Sequence, residues 1–124
     1  MRRLAVIALC IGLAGGCVTP SIPIPPPDPA KMTFHLSIID TVNKATFQYG
    51  PTSLYVGGVA YIYNETKGQG VIQACAPDGS IGPTQPFPAE AMNQVVVTVQ
   101  VGEQTQGTCI VLREGTQDPT TYCQ

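Results

Sequence analysis

From Met32 to Ile38 apolar and polar residues alternate, with Met32, Phe34, Leu36 and Ile38 on one face and Thr33, His35 and Ser37 on the other. Side chains of a strand point alternately to opposite faces, so this pattern predicts a half-buried strand. Residues 45–49 alternate in the same way and stop at Gly50 and Pro51, a turn signal. Residues 53–63 form a longer strand candidate, in which Gly57 and Gly58 predict a bulge or a break into two strands. A polar turn at residues 64–70 then leads to residues 71–75 as a hairpin partner, and Pro77, Asp78 and Gly79 make a further turn. After a loop holding Pro83, Pro86 and Pro88 comes the strongest strand, residues 94–101, with Val95, Val97, Val99 and Val101 on one face. A valine run of this kind is an aggregation hazard when exposed, so a central place in a sheet is expected for it. Residues 108–112 follow a glycine-flanked turn, and residues 120–123 add a short last strand. No segment carries a sustained helical stripe; residues 88–92 make at most one turn. Seven short strands after Met32 predict an all-β fold, a single β-sandwich over residues 32–124.

Composition agrees with that reading. A chain of 124 residues with 13 Gly, 12 Pro, no Trp and 11% charged side chains suits one turn-rich β domain. A core of that size is modest, so a disulfide would add useful stability.

The first 31 residues do not follow the period-two pattern. Met1, Arg2 and Arg3 precede an apolar run over residues 4–13, shorter than the roughly 18 residues that span a bilayer. Ala14, Gly15 and Gly16 then supply small residues before Cys17. The stretch "LAGGC" resembles the lipobox of bacterial lipoproteins, in which the cysteine becomes the lipidated first residue of the mature chain. Cys10 fits less well, because Leu9 before it is too large. The resemblance implies a signal peptide over residues 1–16, a diacylglyceryl thioether on Cys17 and an acylated amino terminus. Several acyl chains hold a protein durably where one holds it marginally. Val18 stands where an Asp would retain the protein in the inner membrane, so the implied address is the outer membrane, with the periplasmic or surface face left open. No cofactor is expected besides this covalent lipid.

Residues 17–31 read as a linker. Pro20, Pro23, Pro25, Pro26, Pro27 and Pro29 fix φ and bias their predecessors toward extended backbone. At about 3.1 Å per residue, residues 18–31 reach on the order of 40 Å, which predicts a semi-rigid stalk. A ligand for a proline-binding groove is the alternative.

The formal charge is −2 from six basic and eight acidic residues, and loss of Arg2 and Arg3 with the signal leaves four basic against eight acidic, or −4. No basic patch remains, so nucleic acid is not expected as a partner. Once Cys17 carries lipid, Cys75, Cys109 and Cys123 remain, enough for one intramolecular bridge. The stretch "CIVLREGTQDPTTYC" is nearly symmetric about Thr116, and a hairpin there favours Cys109–Cys123; Cys75 bonded to either of these is the alternative. No C-x-x-C motif suggests a redox site, and the spacing does not suit zinc. His35 is the only histidine and falls on the polar face of its strand. Asp78 is the turn-former before Gly79, and no D-x-D-x-D-G ladder suggests calcium. Tyr55, Tyr61 and Tyr63 lie on or near the long hairpin; facing outward they form a binding patch, and facing inward they pack across strands.

A second resemblance covers about a third of the chain. Residues 59–99 are similar to bacterial surface Ig-like sandwich modules, through Asn64, Thr66, Gly68, Asp78, Gly79, Ser80, Phe87, Ala89, Val95, Val97 and Val99. Met92 and Asn93 stand where that pattern has Gly-Asp. The resemblance implies a structural or binding module without catalysis, meeting a protein partner or an adhesive target in the envelope. A periplasm-facing accessory subunit of a secretion or pilus machine is the alternative, and inhibition of an enzyme through the loop at residues 81–90 a third reading.

Overall fold

The computed structural model describes residues 22–120 and Cys123. Cys17 and the expected signal peptide lie outside the described residues, as do Thr121 and Tyr122 of the expected last strand.

The alternating segments become two four-stranded antiparallel sheets. The first is built from β1 (Met32–Ile39), β2 (Val42–Tyr49), β5 (Phe87–Pro88) and β8 (Gly115–Thr116), in the order β5-β2-β1-β8. The second holds β3 (Val59–Asn64), β4 (Gln69–Ala74), β6 (Gln94–Val101) and β7 (Gln104–Val111), in the order β4-β3-β6-β7. The valine-rich β6 is central, paired with β3 on one side and β7 on the other. Met32, Phe34, Ala45 and Phe47 of the first sheet and Ala60, Ile62, Val95, Val97, Val99 and Ile110 of the second join one buried cluster. Phe34 and Phe47 lie 4.9 Å apart between ring centroids, and Tyr49 and Tyr55 5.6 Å apart, extending that core with aromatic contacts.

Polar groups inside are satisfied. Asn64 is fully buried where β3 ends; its amide nitrogen donates to Asn93 Oδ1 (2.8 Å) and to the Pro88 carbonyl (3.1 Å), and its Oδ1 accepts from the Lys67 amide (3.2 Å). The end of β5, the loop before β6 and the β3–β4 turn are thereby tied to one side chain. Gln117 staples the turn around β8, donating to the carbonyls of Arg113 (2.7 Å) and Gly115 (2.8 Å). At Gly79, φ is +81° and a Cβ would collide with the Thr52 carbonyl oxygen, so only glycine fits that turn.

Three expectations change. Residues 53–55 form a single 3₁₀ turn instead of the start of a strand, and β3 begins only after the glycine pair, at Val59. The stretch from Cys109 to Cys123 is not a hairpin: after β7 the chain crosses to the first sheet, where Thr116 and Gly115 pair with Thr33 and Phe34. It then returns to form the Cys109–Cys123 disulfide, with a Cα–Cα separation of 5.3 Å. The bridge is the one the sequence favours, reached by a different path.

The third change concerns the proline-rich segment, which packs against the sandwich from residue 22 onward. Ile24, Pro27 and Pro29 are buried. The Ile24 amide donates to Gln104 Oε1 (2.7 Å), and Gln104 Nε2 donates to the Ile22 carbonyl (3.0 Å). Thr108 Oγ1 donates to the Pro27 carbonyl (2.6 Å), and the Tyr55 hydroxyl to the Pro25 carbonyl (2.8 Å). The Asp28 amide donates in turn to the Tyr49 hydroxyl (2.9 Å). Prolines lack an N–H, so their carbonyls and the few remaining amides are what side chains can hold. The segment runs alongside β7, an edge strand, and shields it. Over residues 22–31 the expected stalk is part of the folded body.

Candidate functional site

Strand register places the side chains that face solvent. On β3 the buried residues are Ala60, Ile62 and Asn64, so Val59, Tyr61 and Tyr63 point outward. Tyr61 pairs with Ile72 of β4 and with Thr98 of β6, and Thr98 pairs with Gly107 of β7. The next outward row is Gly70, Tyr63, Val96 and Cys109. The remaining outward positions are Ala74, Gln94, Gln100, Thr105 and Val111. The outer face of this sheet therefore carries no charged side chain on any of its four strands.

Its most exposed apolar residue is Ile72, at 69% of its full accessibility, beside Tyr61 and Tyr63. These three border a shallow depression of about 410 Å³ floored by Gly70. A Cβ at Gly70 would collide with the Ile62 carbonyl oxygen, so the surface next to Tyr63 is flat by necessity. The Tyr61 hydroxyl donates to Gln100 Oε1 (3.3 Å). β4 is the open edge of the sheet and holds neither a charge nor a proline, the usual protections of an exposed edge. Aromatic rings, a branched aliphatic side chain and unpaired edge amides together suit contact with another polypeptide surface.

Tyr55 does not belong to this patch. It is 1% exposed, because the 3₁₀ turn before Gly57 shifts its phase and turns it inward onto Tyr49. Burial pushes the Tyr55 phenol far above its ordinary value, and burial raises Tyr49 as well. Their roles are structural: both hydroxyls hold the proline-rich segment. Cys75, the free thiol among the described residues, is half-buried against the core, and burial raises its pKa too, which keeps it protonated and unreactive at neutral pH. His35 is exposed, with Nδ1 3.6 Å from Glu114 Oε1.

Tyr61 and Tyr63 stand out in the sequence as aromatics, whereas Ile72, Val96 and Thr98 join them on one uncharged face only through the register between strands.

At the end of the molecule where β1 turns into β2, Ile38, Ile39 and Val42 are exposed, and Met92 is exposed at 76% on the neighbouring turn. Asp40, Thr41 and Met92 have φ of 51°, 65° and 75°, and they are the non-glycine residues with positive φ among those described. A β-branched residue such as Thr41 adopts this region only under constraint.

Two four-stranded sheets closed over one core define the protein as a β-sandwich. Comparison with family models, with curated proteins and with solved structures finds no match.

Proposed function

We propose that this protein is a lipoprotein of the bacterial outer membrane, held by acyl chains on Cys17, whose Ig-like β-sandwich is a non-catalytic binding module. The membrane is its first partner, through the anchor, and a second envelope protein is its other. The lipobox-like "LAGGC" after a basic start and short apolar run supports the anchor. The strand order supports the Ig-like reading: β2 lies between β1 and β5 in one sheet, and β3, β6 and β7 are neighbours in the other, as the first, second and fifth and the third, sixth and seventh strands are in Ig sandwiches, with β8 as an added edge strand beside β1.

The observation that carries the binding role is the uncharged outer face of the second sheet. In a chain whose mature part bears twelve charged residues, a four-stranded face without one is the surface cheapest to desolvate. Tyr61, Tyr63 and Ile72 supply the apolar anchors there, and tyrosine is enriched where interfaces derive their energy.

A photo-crosslinking residue placed at Ile72 or Tyr61 in intact cells tests this. A discrete adduct of fixed mass is expected from both positions, and none from Thr46 on the outer face of the other sheet. Equal labelling from Thr46, or no adduct from either tyrosine-side position, contradicts the assignment.

A further inference from the structure

The end of the domain where the chain enters carries its own exposed apolar residues. Ile22 is 79% exposed, and Leu54 and Val56 are exposed on the turn before β3. Several contacts bring these segments to one end. Gln104 holds Ile22 at the start of β7, just after the β6–β7 turn. A Cβ on Gly58 would lie 2.9 Å from Val101 Cγ2 and 3.0 Å from the Tyr55 carbonyl oxygen, so the turn carrying Leu54 and Val56 abuts the end of β6. The Tyr55 hydroxyl bonds to Pro25, closing the third side.

Cys17 precedes Ile22 by five residues. Fully extended, five residues span at most about 18 Å. β7 is eight residues long and runs from the Ile22 end to the opposite end, and eight strand residues cover about 26 Å. A chain lipidated at Cys17 is therefore too short to let the domain turn over and touch the same bilayer with Ile38, Val42 or Met92. The end it can bring to the bilayer is the one that exposes Ile22, Leu54 and Val56.

From this geometry we infer that the domain rests directly on the lipid surface through Ile22, Leu54 and Val56, with the β1–β2 tip directed away from the membrane. The inference rests on the lipid anchor of the proposed function and adds the orientation that the docked proline segment imposes. The occupant of this apolar end is a lipid surface, because the tether length brings that surface to it. Ile22, Leu54 and Val56 are uncharged, so the contact they make is an apolar one.

The chain contains no tryptophan, so a single introduced indole reports without background. The full lipidated protein, carrying Leu54→Trp, Val56→Trp or Ile38→Trp, is reconstituted into phosphatidylcholine vesicles with brominated acyl chains. Emission from Leu54→Trp and Val56→Trp is expected to fall at least about twofold relative to unbrominated vesicles, because an interfacial indole meets the acyl chains. Ile38→Trp is expected to be unaffected. Unquenched Leu54→Trp and Val56→Trp in protein that floats with the vesicles overturn the placement while leaving the anchor intact, as does equal quenching at Ile38. Failure of the protein to float with the vesicles overturns the anchor itself and the placement with it.

Discussion

Asn64 is the buried side chain that ties the β3–β4 turn to β5 and to the loop before β6. Its side chain serves Asn93, Pro88 and Lys67 at once, inside a site without solvent. Asn64→Ala removes a donor and an acceptor from a buried network, and a loss of about 2 kcal/mol in unfolding free energy is expected from urea denaturation. Tyr49 and Tyr55 make a different prediction. In the unfolded chain their phenols ionise near pH 10, whereas burial keeps them neutral at that pH in the folded protein. Stability is therefore fully present below pH 10 and lost as pH rises above it, because the unfolded state releases protons that the folded state retains. Thermal melts across pH 7–11 are expected to be flat on this account up to about pH 9.5 and to fall beyond it, with a shallower fall in Tyr55→Phe. A slope unchanged in Tyr55→Phe contradicts the role given to that phenol. Tyr55 was open to two readings in the sequence, a patch residue or a packed one. Its phase relative to Tyr61 depends on a 3₁₀ turn that a run of apolar and glycine residues does not announce.

The strands were legible because period-two alternation is a local signal: β1, β2, β4 and β6 lie where the pattern of Phe34, Phe47, Ile72 and Val97 puts them, with ends shifted by a few residues. The crossing between sheets at Gly115 and Thr116 was not, since two residues pairing with Thr33 and Phe34 leave no pattern of their own. Docking of the proline-rich segment was hidden for a related reason. Its hold comes from Gln104, Thr108, Tyr49 and Tyr55, which lie at least 21 residues away in sequence. The disulfide links these elements, closing a 14-residue separation around the crossing to β8. Replacing Cys109 and Cys123 together with serine is expected to cost about 3 kcal/mol in the chain-entropy account, read from urea denaturation. Intact mass without reductant is expected to show one bridge, and alkylation after unfolding to label Cys75 but neither Cys109 nor Cys123. A bridge that includes Cys75 contradicts the connectivity.

At the scale of the whole molecule, three surfaces fall in three directions: an apolar end where the chain enters, an uncharged sheet face on the side, and a strained, apolar hairpin tip at the far end. The packing of residues 22–29 along β7 joins the first of these to the folded body. On the proposed reading Cys17 decides where all three surfaces act. The most direct test is membrane fractionation of cells expressing the native chain or Cys17→Ala. The native protein is expected in the membrane fraction and Cys17→Ala in the soluble fraction, with both folded. Retention of Cys17→Ala in the membrane fraction to the same extent as the native protein contradicts the lipid anchor.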